Sequence, residues 1–259
     1  MGKNIYICTD LEGISGIDDM SQVSDTHLES YRFSLERLML DVNAAVAGLF
    51  DGGAEKVYVL DGHGGGKNFI PDMLDKRATQ AYLTNDVDLS TIDATIYIGA
   101  HAMSGTLNAF LDHTQSSLAW HDYIVNGRRS GELAQEAMFF GNFGVPLLMV
   151  SGDEAACVEG KQFFGDIECA VVKYAVGRNK ARSIDLDEAL LKIRTAACKS
   201  LSLIGKIKPY KPIMPLEIIV EFNRADYCDV NVKPTNERID ARTLRKVVHE
   251  IKTYYDIMI

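Results

Sequence analysis

Asp10 and Glu12 leave what reads as a first strand in the run Thr9-Asp10-Leu11-Glu12-Gly13. Residues two apart on an extended chain point to the same side. Two carboxylates placed that way repel unless a cation lies between them. Two histidines stand in matching places, His63 in Asp61-Gly62-His63-Gly64 and His101 in Gly99-Ala100-His101-Ala102, each just past an apolar stretch. Glu132, in Gly131-Glu132-Leu133, opens a predicted helix. Neutral imidazoles together with carboxylates suit zinc or a similar divalent ion. In open α/β sheets ligands bind beyond the carboxyl ends of strands. Asp10, Glu12, His63, His101 and Glu132 can therefore hold a pair of metal ions.

Each residue taken alone has a plainer reading. An Asp-x-Glu triplet is most often a helix cap or a solvated acidic loop. A glutamate in a first helical turn is often a favourable dipole partner. His63 alone reads as a turn histidine; its loop, Gly62 to Lys67, lacks the spacing of a Walker A phosphate cradle. Asp61 is placed to hold the ring of His63 or of another ligand. His113 is a candidate acid, base or electrostatic group, because imidazole titrates near neutral pH. His121 reads as a surface residue, and His27 and His249 as structural or exposed. There is no Gly-x-Ser-x-Gly elbow, no Gly-x-Gly-x-x-Gly opening a helix after the first strand, and no His-Glu-x-x-His helix. A metallohydrolase built here must assemble its site from separate loops.

The elements that position these residues are legible as alternating runs. Residues 4–9, 57–60, 94–99, 145–150 and 170–174 read as buried strands, and 123–125 as a strand ending in an Asn126-Gly127 turn. Apolar residues at steps of three and four predict a helix over 27–50, and helices are expected over 132–140 and from 154 to about 164. This alternation predicts an α/β fold, a doubly wound three-layer αβα main domain over residues 1–180. A smaller α+β domain is expected over 181–259. It holds a helix from Asp185 to about Leu201, a proline-rich connector over 206–215, a strand over 216–222 and a helix over 241–255.

A chain of 259 residues with 47% hydrophobic and 24% charged residues fits one large or two modest globular domains. No apolar run reaches the ~18 residues of a membrane span. The first residues enter a strand at once, so no signal peptide is expected. A net charge of −9 disfavours nucleic acid and anionic membranes as partners. Five cysteines, without CxxC spacing, predict buried thiols in a reducing cytoplasm rather than disulfides.

A further pattern emerges in the order of the motifs. Asp10-Leu11-Glu12-Gly13-Ile14-Ser15-Gly16 comes first, then Asp61-Gly62-His63 with Asn68, then Gly99-Ala100-His101-Ala102 and His113-Thr114. Asn126-Gly127, Gly131-Glu132, Val145-Pro146 and Gly152-Asp153 follow. This ordered set resembles the M55 zinc D-aminopeptidases, from the first strand to about residue 180 and more weakly to the end. Ala100 stands where an aromatic residue often precedes the histidine. The resemblance implies a two-zinc site, with Mn or Co as alternative ions. Asp10 would bridge both ions, Glu12 and His63 would complete one, and His101 and Glu132 the other. His113 matches the family's active-site histidine. The resemblance also implies a ring-like homo-oligomer, a decamer by the family's pattern, acting on short peptides with an N-terminal D-residue such as D-alanine. A metal-dependent amidase or esterase on another small substrate, or a non-catalytic peptide- or nucleotide-binding protein, would use the same fold.

Overall fold

The computed structural model describes residues 2–24, 27–82 and 87–259. Its centre is a seven-stranded sheet of β1 (Lys3–Thr9), β2 (Ala54–Asp61), β3 (Ala78–Ala81), β4 (Ala94–Ala100), β7 (Leu147–Asp153), β8 (Glu168–Gly177) and β9 (Lys180–Ser183). Their spatial order is β3-β2-β1-β4-β7-β8-β9. All pairings are parallel except β8 with β9. The order reverses between β1 and β4. At such a switch point the connections leave to opposite sides and a crevice opens beyond the strand ends.

The strands read as continuous apolar runs because both faces are covered. Ile5, Ile7, Ile96 and Ile98 pack on one face against Leu38, Val42 and Val46 of α1 (Leu28–Asp51) and Ile193 of α4 (Leu186–Ser200). Tyr6, Cys8 and Tyr97 point the other way, into a second cluster. That cluster takes in α2 (Glu132–Asn142), α3 (Glu154–Phe164) and a second sheet. Truncating a buried isoleucine such as Ile98 to alanine would cost about 2–5 kcal/mol, lost transfer energy plus a cavity.

The second sheet is antiparallel, ordered β11-β12-β10-β5-β6. It joins β5 (Trp120–Val125) and β6 (Arg128–Arg129) to β10 (Leu216–Phe222), β11 (Glu237–Arg238) and β12 (Thr243–Val248). Leu216, Ile218, Val220 and Phe222 alternate inward along β10, the period-two pattern of a half-covered sheet. A short helix, α5 (Ala225–Asp229), follows β10. The sheets do not divide at residue 180. The hairpin β5–β6 belongs to the second sheet, whereas β9 joins the first and α4 packs on α1 and β8.

The helix expected over 241–255 does not form. Residues 243–248 are β12 instead, paired with β10 from Leu216↔Val248 to Glu221↔Thr243, and a short 3-10 turn covers Tyr254–Ile257. Leu244, Val248 and Ile251 are spaced as on a helix, but the unsatisfied edge of β10 captures the segment as a strand. Short β3 and β9 were not legible in advance; both are edge strands of four residues. Among the described residues no helix is long and apolar enough to cross a membrane.

Candidate metal centre

Register sets the level at which the functional residues leave the first sheet. Thr9 of β1 lies opposite Asp61 of β2 and Ile98 of β4. Asp10, His63 and His101 therefore emerge just beyond one common line, at the switch point. The backbones there touch. The Asp10 amide donates to the Ile98 carbonyl at 2.9 Å, and the Gly13 amide to the Gly99 carbonyl at 2.8 Å. A Cβ on Gly13 would lie 2.1 Å from the Ala100 carbonyl oxygen, and one on Gly99 2.2 Å from that of Asp10. Both glycines are required by this close approach.

Asp10 is the hub. Its Oδ1 lies 3.1 Å from His63 Nδ1, and its Oδ2 lies 3.2 Å from His101 Nε2. Glu12 Oε2 stands 3.2 Å from the same His63 nitrogen. Glu132 Oε1 lies 3.4 Å from His101 Nε2 and 3.8 Å from His113 Nε2. Two ligand groups result: the donor atoms of Asp10, Glu12 and His63 fall within 4.8 Å of one another, and so do those of His101, His113 and Glu132. The rings of His101 and His113 stack at 4.0 Å between centroids. A third group, His121 with Asp122 and Glu221, lies on the second sheet, where Arg129 and Arg242 bond its carboxylates.

All six residues singled out in the sequence thus converge. The set fits a cation on a structural ground: His101 Nε2 is buried and has no aligned hydrogen-bond partner, though two carboxylates face it. The other ring nitrogen, Nδ1, donates to the Ala102 carbonyl at 3.0 Å, so Nε2 is the atom that faces the carboxylates or an ion between them. His113 is held the same way, its Nδ1 donating to the Leu111 carbonyl at 2.7 Å.

The electrostatics agree. Burial opposes charge on His63, yet Glu12 and Asp10 push it up to about 12. Burial opposes charge on His101 too, and Glu132 and Asp10 still hold it well above the usual imidazole range. Glu12 is carried well below the carboxylate range by His63 against the effect of burial. Asp10 goes up, through burial and the Glu12 charge. The buried carboxylates favour positive charge on the facing imidazoles, and a metal ion can take the place of those protons.

Supporting groups hold the loops. Asp61 does not reach the ring of His63 as expected. It accepts from the Asn68 amide at 2.5 Å and from Asn68 Nδ2 at 2.7 Å, and Nδ2 also donates to the His63 carbonyl at 2.7 Å. It fixes the backbone of the loop instead. Buried Lys173, in the middle of β8, donates to the Glu12 carbonyl at 2.8 Å and to that of Ile17. Asp153 caps α3 through the Ala156 amide and also accepts from the Phe110 amide at 2.9 Å, tying down the approach to His113. The Gln115 amide donates to Glu132 Oε1 at 2.7 Å.

A cavity of about 420 Å³ opens on this centre, lined by Asp10, Glu12, His63, His113 and Glu132 and walled by Tyr254 near the C-terminus. Glu136 lines it as well, one turn after Glu132 on α2. Burial raises its carboxyl to about 8, the Asp10 and Glu132 charges adding to the rise while a hydrogen bond with the Cys8 thiol opposes it. Glu136 and Lys173 were missed in the sequence. The signals were present: Glu136 repeats Glu132 at helical spacing, and Lys173 interrupts an apolar strand.

A family model for peptidase M55, D-aminopeptidase, matches residues 3–259. The chain belongs to this family. It is 27% identical over 249 residues to a D-aminopeptidase of Bacillus subtilis, covering 90% of this chain and 86% of that one. The fold matches a solved structure described as a zinc-dependent D-aminopeptidase from Bacillus subtilis, a self-compartmentalizing protease. That match has a TM-score of 0.86 and 24% identity, covering 98% of this chain and 95% of the other. The α/β architecture expected from the strand and helix alternation is the one observed.

Proposed function

We propose that this M55 protein is a two-zinc aminopeptidase that removes an N-terminal D-residue, D-alanine foremost, from short peptides. The observation that carries the reading is the Asp10 carboxylate, whose two oxygens face two different histidines, each within its own cluster of ligands. Asp10 would bridge the two ions. Glu12 and His63 complete one set and His101 and Glu132 the other. Two zinc ions, when bound, lower the pKa of water toward about 7 and polarise the scissile carbonyl. His113 is assigned the proton work. Its Nδ1 is committed to the Leu111 carbonyl, so Nε2 is the atom that takes or gives a proton, or steadies the oxyanion, at the cavity wall.

The cavity suits a short peptide in size. A ring-like homo-oligomer is inferred from the self-compartmentalizing relative, and a cytoplasmic location from five thiols that form no disulfide. The function is tested with matched D-Ala-D-Ala and L-Ala-L-Ala in the presence of Zn, Mn or Co. The expected result is a much higher kcat/KM for the D-peptide. Fixing the amino group and carbonyl of the L-peptide drives its side chain into the wrong wall, which costs near-attack geometry. Equal values or an L preference contradict the D-specific reading. No turnover of either peptide contradicts the peptidase reading.

A further inference from the structure

Glu136 is the one carboxylate of the cavity that the two ligand groups leave over. It is 8% exposed, yet its Oε2 has no hydrogen-bond partner. It belongs to neither group of converging metal-ligand atoms. A further metal ion needs several donors in one place. A buried acceptor with no partner costs free energy unless something occupies it.

Its position says what the occupant is. Glu136 follows Glu132 by four residues on α2, so both side chains lie on the same helical face. Both line the cavity with Asp10. Tyr97 and Tyr254 line it too; burial raises both phenols and the Glu136 charge adds to the rise, so all three groups are within electrostatic reach. A cavity-lining carboxyl beside two phenols, next to but outside a metal centre, suits a small organic cation, whose charge would hold the carboxyl ionised. In an aminopeptidase the substrate group that matches is the free α-ammonium.

We propose that Glu136 binds the α-ammonium group of the substrate and so makes the enzyme selective for a free amino terminus. The inference rests on the aminopeptidase reading above. The amine is thereby anchored by the protein at α2, separately from the residues that hold the ions. Substrates with an acylated or missing amino group would leave the Glu136 carboxylate without its counter-ion and be rejected.

The test compares D-alanine with propionate, which differ only in the ammonium group, by calorimetric titration of the zinc-loaded protein. Wild type should bind D-alanine more tightly. Glu136→Gln keeps the volume and removes the charge. It should retain both zinc ions by elemental analysis, bind propionate as wild type does, and bind D-alanine about 10- to 100-fold more weakly, the scale of a lost charged hydrogen bond. Glu136→Asp, which withdraws the charge by one methylene, should fall between the two. Wild type binding propionate as tightly as D-alanine overturns the proposal, whatever the variants do. So does undiminished D-alanine binding in either variant, or loss of zinc from a folded Glu136→Gln protein, which would make Glu136 a ligand. These titrations need no turnover, so a failure of the D-peptide assay and a failure here are told apart.

Discussion

In one half of the centre, His63 rides on a glycine-rich loop and its side chain is 17% exposed; in the other, His101 sits against the sheet with its side chain 2% exposed. The first half is steadied from a distance, through Asp61 and Asn68 to the His63 backbone. The second is steadied locally. His101 and His113 each donate to a carbonyl within two residues, and their rings stack. The contrast predicts that the two candidate ligand groups differ in stiffness by how their loops are tied. The local half should hold its ion more firmly, and the loop half should exchange it more readily.

The largest effect is expected where the halves meet. Asp10→Ala should abolish turnover of D-alanyl peptides in a steady-state assay, because one side chain faces both candidate ligand groups. Next come His101 and His63, one in each candidate group. His101→Ala and His63→Ala should each eliminate most turnover, but titration with a zinc chelator should show the remaining ion held more firmly in His63→Ala. The reverse order would break the comparison. His113→Ala should keep both ions and lower kcat by about 10²–10⁴-fold, the scale of an acid–base group. Lost metal in that variant would make His113 a ligand, which its place beside His101 and Glu132 also permits. The smallest effect belongs to Asn68→Ala. Zinc affinity of the loop half alone should fall about 10-fold, the lower end for an outer-shell change. Equal weakening of both halves would show that the tether is shared.

The legible parts of the molecule share a physical cause. Strands covered on both faces must be apolar throughout, so β1, β2 and β4 stood out, and a polar residue just past each could be flagged by type alone. Asp10, His63 and His101 were found that way. The capping residues Asp153 and Asp185 marked the starts of α3 and α4 for a similarly local reason, a side chain accepting from the first-turn amides. What depended on distant partners was not legible. β12 carries apolar residues at helical spacing and becomes a strand only because β10 lies beside it. Nothing local in β5 announces that it leaves the first sheet to pair with β10, some ninety residues on. The role of Asp61 also turned on a partner, Asn68, that a strand-end reading does not place.

The central claim is that one carboxylate is common to two ion sites, and elemental analysis of purified, folded Asp10→Ala tests it most directly. Wild type should carry close to two zinc ions per chain, and the variant should lose more metal than any other single ligand replacement. Full occupancy in a folded Asp10→Ala protein would contradict the bridging assignment.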